Sequence, residues 1–226
     1  MDSKQIKRFF LYLAGLVILA IGLILNTKCT LGVSPILSVA FSVSEIWKLN
    51  FGDVTLVWYV TFILVEIVLH VINNQGTERK KKLVMDVLQL PLSIGFTRIM
   101  NLFSAIFPVF ETDYQGQFLG SLAGRILILL IAIILTGIGA SLTLRMKLIP
   151  NPGDGIVAAI GEAVRRDNGT VKNFVDVCCV IITLLICFLT VRKLVGIGIG
   201  TIIAALGVGR VMAVCNKVYD KAGLKV

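Results

Sequence analysis

Residues 21–60, IGLILNTKCTLGVSPILSVAFSVSEIWKLNFGDVTLVWYV, and residues 138–177, IGASLTLRMKLIPNPGDGIVAAIGEAVRRDNGTVKNFVDV, align without a gap at a shift of 117 positions. Nine of the forty positions are identical: Ile21/Ile138, Gly22/Gly139, Leu25/Leu142, Leu31/Leu148, Pro35/Pro152, Glu45/Glu162, Gly52/Gly169, Val54/Val171 and Val60/Val177. The basic pairs Lys28/Arg145 and Lys48/Arg165 also coincide. Further on, Gly95-Phe-Thr-Arg98-Ile-Met100 is echoed by Gly207-Val-Gly-Arg210-Val-Met212, five residues out of phase. Internal duplication of an apolar chain is the usual construction of a transporter or channel. The expected organisation is one membrane domain of two repeats, residues 1–110 and 118–226.

Composition fixes the class. Of 226 residues, 57% are hydrophobic and only 15% charged, against about 25% charged in soluble domains. Mean hydropathy is +0.92. The apolar runs do not alternate with polar residues, which excludes a barrel. The fold class is all-α, a polytopic membrane protein. The net charge of +9 does not point to nucleic acid, because the cations gather at segment ends, where they set topology and meet anionic lipid. Met1 to Arg8 resembles a signal n-region, but Leu25-Asn-Thr-Lys-Cys-Thr shows no clear small-x-small cleavage site; the stretch is expected to be the retained flank of the first helix. The five cysteines show no CxxC spacing, and four lie in apolar segments. They read as small hydrophobes, with no disulfide or metal site expected.

A spanning helix needs about 20 apolar residues. Six stretches qualify, near 8–27, 53–73, 83–109, 119–144, 171–191 and 194–215. Two shorter ones, near 35–48 and 153–166, begin at the repeated Pro and end near the repeated Glu. At roughly 1.5 Å per residue, each covers about 21 Å of a core about 30 Å thick. Cation placement chooses between short spans and re-entrant half-helices. If the short segments turn back and the N-terminus is inside, the inner face holds Lys4, Lys7, Arg8, Arg79, Lys80, Lys81, Lys82, Arg145, Lys147, Arg165, Arg166, Lys172, Lys217, Lys221 and Lys225, fifteen in all. The outer face holds only Lys28, Lys48, Arg192 and Lys193. If the short segments cross, the same cations divide ten to nine. The expectation is therefore six spans, two re-entrant half-helices and two inverted repeats, with both termini cytoplasmic.

In that arrangement two helix N-termini face each other near mid-membrane. Pro35 and Pro152 suit the first turn, and Ser34 and Asn151 stand at the N-cap. Each N-terminus offers unpaired N–H donors and about half a positive charge, suited to an anion or a polar head. Ser34, Asn151, Gly153 and Asp154 are the expected substrate contacts, with Arg98 and Arg210 as added positive charge. For Asp154 alone the plainer reading is a charge favouring the helix start. The two arginines could instead neutralise Glu66 or Asp154, or snorkel. Glu66, deep in its span, is the candidate coupling-ion or proton carboxylate, and Asp176 a second; the plain alternative for Glu66 is a pair with His70 four residues on. Asp86–Lys82, Glu162–Arg166 and Asp176–Lys172 are expected four-apart pairs. Trp47, Trp58 and Tyr59 suit an outer interfacial belt. The small-residue series from Gly196 suits close helix packing, and Asn168-Gly-Thr matches a glycosylation acceptor by spelling only.

Pro91 in Leu88-Gln-Leu-Pro-Leu, the Asn151-Pro-Gly-Asp-Gly motif, Val171-Lys-Asn-Phe-Val-Asp176 and Gly196-Ile-Gly-Ile-Gly-Thr201 together resemble the YczE/YitT-like bacterial membrane proteins, over nearly the whole chain. That resemblance implies a bacterial inner membrane and supplies no substrate. The Asn151-Pro152 start is also similar to aquaporin half-helices, but here the half-helix follows the first span of each repeat and the first half has Ser34-Pro35.

The functional expectation is a secondary transporter of a polar or anionic small molecule, with a channel-like facilitator and a non-transporting scaffold or regulator as alternatives. No nucleophile–base or metal constellation suggests an enzyme. No cofactor is expected. The expected partners are membrane lipid and a small-molecule or ion substrate, not nucleic acid, with homo-oligomerisation left open.

Overall fold

A computed structural model describes residues 3–221; Lys225 and both chain ends lie outside the described residues. The described chain is helical, without strands. Its helices are α1 (Ser3–Lys28), α2 (Pro35–Trp47), α3 (Phe51–Asn73), α4 (Gly76–Ile106), the single turn α5 (Phe110–Asp113), α6 (Leu122–Arg145), α7 (Pro152–Val164), α8 (Asn168–Thr190) and α9 (Ile199–Lys221). Six of them, α1, α3, α4, α6, α8 and α9, are long and apolar enough to cross a membrane. The protein is thus an all-helical chain of polytopic membrane type.

Local chemistry explains the boundaries. Pro35 and Pro152 begin α2 and α7, where their missing N–H is no loss. Both helices end at a basic residue in the left-handed conformation, Lys48 (φ 56°) and Arg165 (φ 54°), again 117 positions apart. Asn50 and Asp167, a further matched pair, then cap α3 and α8 by accepting from Asp53 N and Thr170 N. The last helix begins later than its apolar run suggests, because Gly196 and Gly200 pair with the segment after α1. Val33 N donates to the Gly196 carbonyl at 2.9 Å, and Gly200 N to that of Leu31 at 2.7 Å. A Cβ at Gly198 would strike the Leu31 carbonyl. Gly196 and Gly200 therefore serve a backbone pairing at the start of α9, whose buried residues are Gly200, Thr201, Ala204 and Val208.

The centre of the molecule is the α1–α6 pair, packed at backbone distance. A Cβ on Gly22 would lie 2.5 Å from Thr136 N, and one on Gly139 would lie 2.5 Å from Leu19 N. Leu19 and Thr136 are themselves 117 apart, so the two contacts exchange under the repeat shift. Small residues of this kind let helices approach in lipid, where no hydrophobic gain drives association. The α2 helix packs on α8, and α7 packs on α3, the exchanged counterpart. Outward faces carry residues such as Ile72, Phe188 and Leu189, more than two-thirds exposed; the interior holds polar side chains, among them Ser38, Gln89 and Thr183.

Along α1, Arg8 donates to the Met146 carbonyl at 2.7 Å, and Tyr12, one turn further on, to that of Ile149 at 2.7 Å. After α6 the chain therefore runs back alongside α1 toward the molecular interior before α7 begins. At its other end α7 meets α4, where Glu162 accepts from Lys82.

Candidate functional site

The α2 and α7 N-termini converge. A Cβ on Gly153 would stand 3.1 Å from Ile36 Cδ1. Ser34, Asn151, Gly153 and Asp154 line one small cavity, about 60 Å³, together with Tyr59, Lys172 and Asp176. That volume has room for a few water molecules. Asn151 caps α7, its Oδ1 accepting from Gly153 N at 3.0 Å; Ser34 makes no side-chain cap bond at α2. Asp154 occupies the first turn of α7. Lys172 Nζ lies 3.3 Å from Asp176 Oδ2, the four-apart pair expected from sequence, and the buried Asp176 Oδ1 has no partner. The structure thus gathers Ser34, Asn151, Gly153, Asp154 and Asp176.

It does not bring the two arginines there. Arg98, about half exposed, pairs with Asp53 of α3. Arg210 is exposed, and its Nη1 donates to the Leu206 carbonyl of its own helix at 3.3 Å. Tyr59 is no interfacial residue: it is 2% exposed and faces the cavity. Trp58 is half-buried, its Nε1 donating to the Ile36 carbonyl at 3.0 Å.

Two larger cavities lie toward opposite ends of the α1–α6 pair. One, about 650 Å³, is lined by Lys28, Val33, Phe41, Glu45 and residues 194–199. The other, about 550 Å³, is lined by Pro150, Ala158 and Glu162 with residues of α3 and α4. Pro150, Ala158 and Glu162 stand 117 positions after Val33, Phe41 and Glu45, so the repeat shift carries one cavity wall onto the other.

Glu66 lines the second cavity and is 1% exposed. Gln89 Nε2 donates to its Oε2 at 2.6 Å, while Glu66 Oε1 and Gln89 Oε1 are buried without partners. His70 does not pair with Glu66; its Nδ1 lies 2.8 Å from Asp86 Oδ2. Asp86 therefore pairs with His70 in place of Lys82. Glu162 likewise pairs with Lys82, not Arg166. Helical spacing named these acids, but each partner comes from another helix. The Lys82 hydrogen bond holds the Glu162 carboxyl below its usual range. The Thr170 backbone N–H does the same for Asp167. Gln89 is a candidate site residue that helical spacing does not single out; its signal in the sequence is a lone amide in an apolar run two residues before Pro91.

Among the described residues no three His, Cys, Asp or Glu side chains cluster closely enough to hold a metal ion, and all five cysteines are free. A family model matches residues 6–217, described as a family of unknown function, DUF6198. The chain belongs to that family. No curated protein and no solved structure matches it. The DUF6198 match spans nearly the whole chain and carries no substrate with it.

Proposed function

We propose that this protein is a secondary transporter that moves a polar small molecule between two inverted repeats, with the solute passing the cavity where α2 and α7 begin. One observation carries the reading: the small central cavity lies between two larger ones whose walls are related by the repeat shift. Alternating access requires such a pair of vestibules, only one of which is continuous with the centre at a time. The return of residues 146–149 along α1 supports a re-entrant α7, and the fifteen-to-four cation division supports cytoplasmic termini. Resemblance to the YczE/YitT-like proteins supports a bacterial cytoplasmic membrane as the setting. Glu66 is the proposed proton carboxylate, since a buried ionisable group inside a membrane bundle is costly unless used.

The charge around the centre narrows the solute. Asp154 and Asp176 outnumber Lys172 there, and Asp154 already occupies the favourable end of the α7 dipole. Without Arg98 and Arg210, the centre lacks the cations an anion would need.

Liposome uptake tests the reading. Purified protein should accumulate solute against its gradient when a proton gradient is imposed, and Asn151→Ala or Asp154→Ala should remove most of that accumulation. Flux that only equilibrates would favour a facilitator; no flux with any polar solute would favour a scaffold.

A further inference from the structure

The cavity beneath Glu66 has a charge unlike that of the chain. The protein carries 22 cations and 13 acids. Yet the ionisable lining of this 550 Å³ space is Glu66, Glu78, Asp86 and Glu162 against Lys81, Lys82 and His70, four acids to three bases. Three of the acids are engaged, Asp86 by His70 and both Glu78 and Glu162 by Lys82. Among the described residues no base pairs with Glu66, and its side-chain hydrogen-bond partner is the Gln89 amide. That bond turns the Gln89 N–H toward Glu66 and leaves Gln89 Oε1 free. Two buried, unpartnered acceptors, Glu66 Oε1 and Gln89 Oε1, therefore belong to residues that line the same cavity. Leaving such atoms unpaired in a low-dielectric interior is costly, the more so when they are charged. Met85, Pro150 and Ala158 supply apolar wall, and the volume is that of an ordinary small-molecule site.

We propose that this vestibule binds a small organic cation, an ammonium or guanidinium bearing N–H donors, with its head between Glu66 Oε1 and Gln89 Oε1 and its apolar body against Met85 and Ala158. Such a group supplies only donors and a positive charge, the complement of two acceptors and a carboxylate. That the bound cation is also the transported solute rests on the transport reading; its binding does not.

Calorimetry on the purified protein in detergent separates the two. The probes are phenethylammonium and phenylguanidinium, with benzyltrimethylammonium as a cation lacking N–H and benzoate as an anion. Saturable binding of the first two, weakened about ten-fold or more in Glu66→Gln and in Gln89→Ala with melting temperature retained, is the expected result. Glu66→Asp, which keeps the charge, should retain partial affinity if Glu66→Gln does not fold. Equal binding of benzyltrimethylammonium, undiminished binding in the folded Glu66→Gln protein, or no binding of either N–H cation up to millimolar concentration would overturn the proposal. Accumulation of another solute in liposomes would stand regardless.

Discussion

The Glu66 carboxylate lies against the bare backbone of Gly155, so that a Cβ at position 155 would stand 2.6 Å from Glu66 Oε2. The obstructed group is the far end of a flexible side chain. Gly155→Ala should therefore cost little stability and instead push the carboxylate off the Gln89 amide. The expected outcome is a near-normal melting temperature with proton-driven uptake reduced about ten-fold or more. A fully active Gly155→Ala protein would separate this contact from function.

The glycines of the α1–α6 crossing should behave in the opposite way. At Gly22 and Gly139 the obstructing atoms are backbone nitrogens of Thr136 and Leu19, which cannot swing aside. Alanine at either position should destabilise the protein by about 1–3 kcal/mol, the usual range for overpacking. Thermal unfolding in detergent is the measurement. The same contrast separates a glycine that admits a functional group from one that sets helix distance.

The sequence carried the spans and both short helices because their causes are local. Pro35 and Pro152 mark helix starts on their own, and about 20 apolar residues mark a span wherever they pack. The start of α9 lies later than the apolar run predicts, since the backbone bonds of Gly196 and Gly200 go to residues 33 and 31, far back in the chain. Side-chain partners were legible only where they lie on one helix, as with Lys172 and Asp176. The His70–Asp86, Lys82–Glu162 and Arg98–Asp53 pairs each join two helices, and helical spacing carries no information about the second. The central cavity was legible from the matched prolines; the Glu66–Gln89 pair was not, because an amide in an apolar run does not announce its partner.

The Lys82–Glu162 pair gives a pH dependence. The Glu162 carboxyl is held below its usual range by the Lys82 hydrogen bond. Its contribution is therefore fully present above the ordinary carboxylate value and lost as pH falls through the lowered one. Between about pH 6 and about pH 3 the wild-type melting temperature should fall more steeply than that of Glu162→Gln. The difference should be small and shrink in salt, because this carboxylate is 42% exposed. Identical slopes would show that the ion pair does not contribute to folding.

The half-helices themselves can be tested by where their tips emerge. Leu49 follows α2 and Arg166 follows α7, and both are exposed; a change at Arg166 also spares the Asp167 cap of α8. In a background freed of the five native cysteines, Leu49→Cys should react with an impermeant maleimide added outside whole cells. Arg166→Cys should react only after the membrane is opened. The physical reason is the cation division: turning α2 and α7 back places Arg79 to Lys82 and Arg165, Arg166 and Lys172 on one face, as the retention of Lys and Arg on the inner side demands. Were both short helices to cross, α3 would lie inverted with respect to this arrangement, and positions 49 and 166 would emerge together. Labelling of both from the same side would remove the re-entrant helices and with them the convergence of two N-termini on a shared solute site.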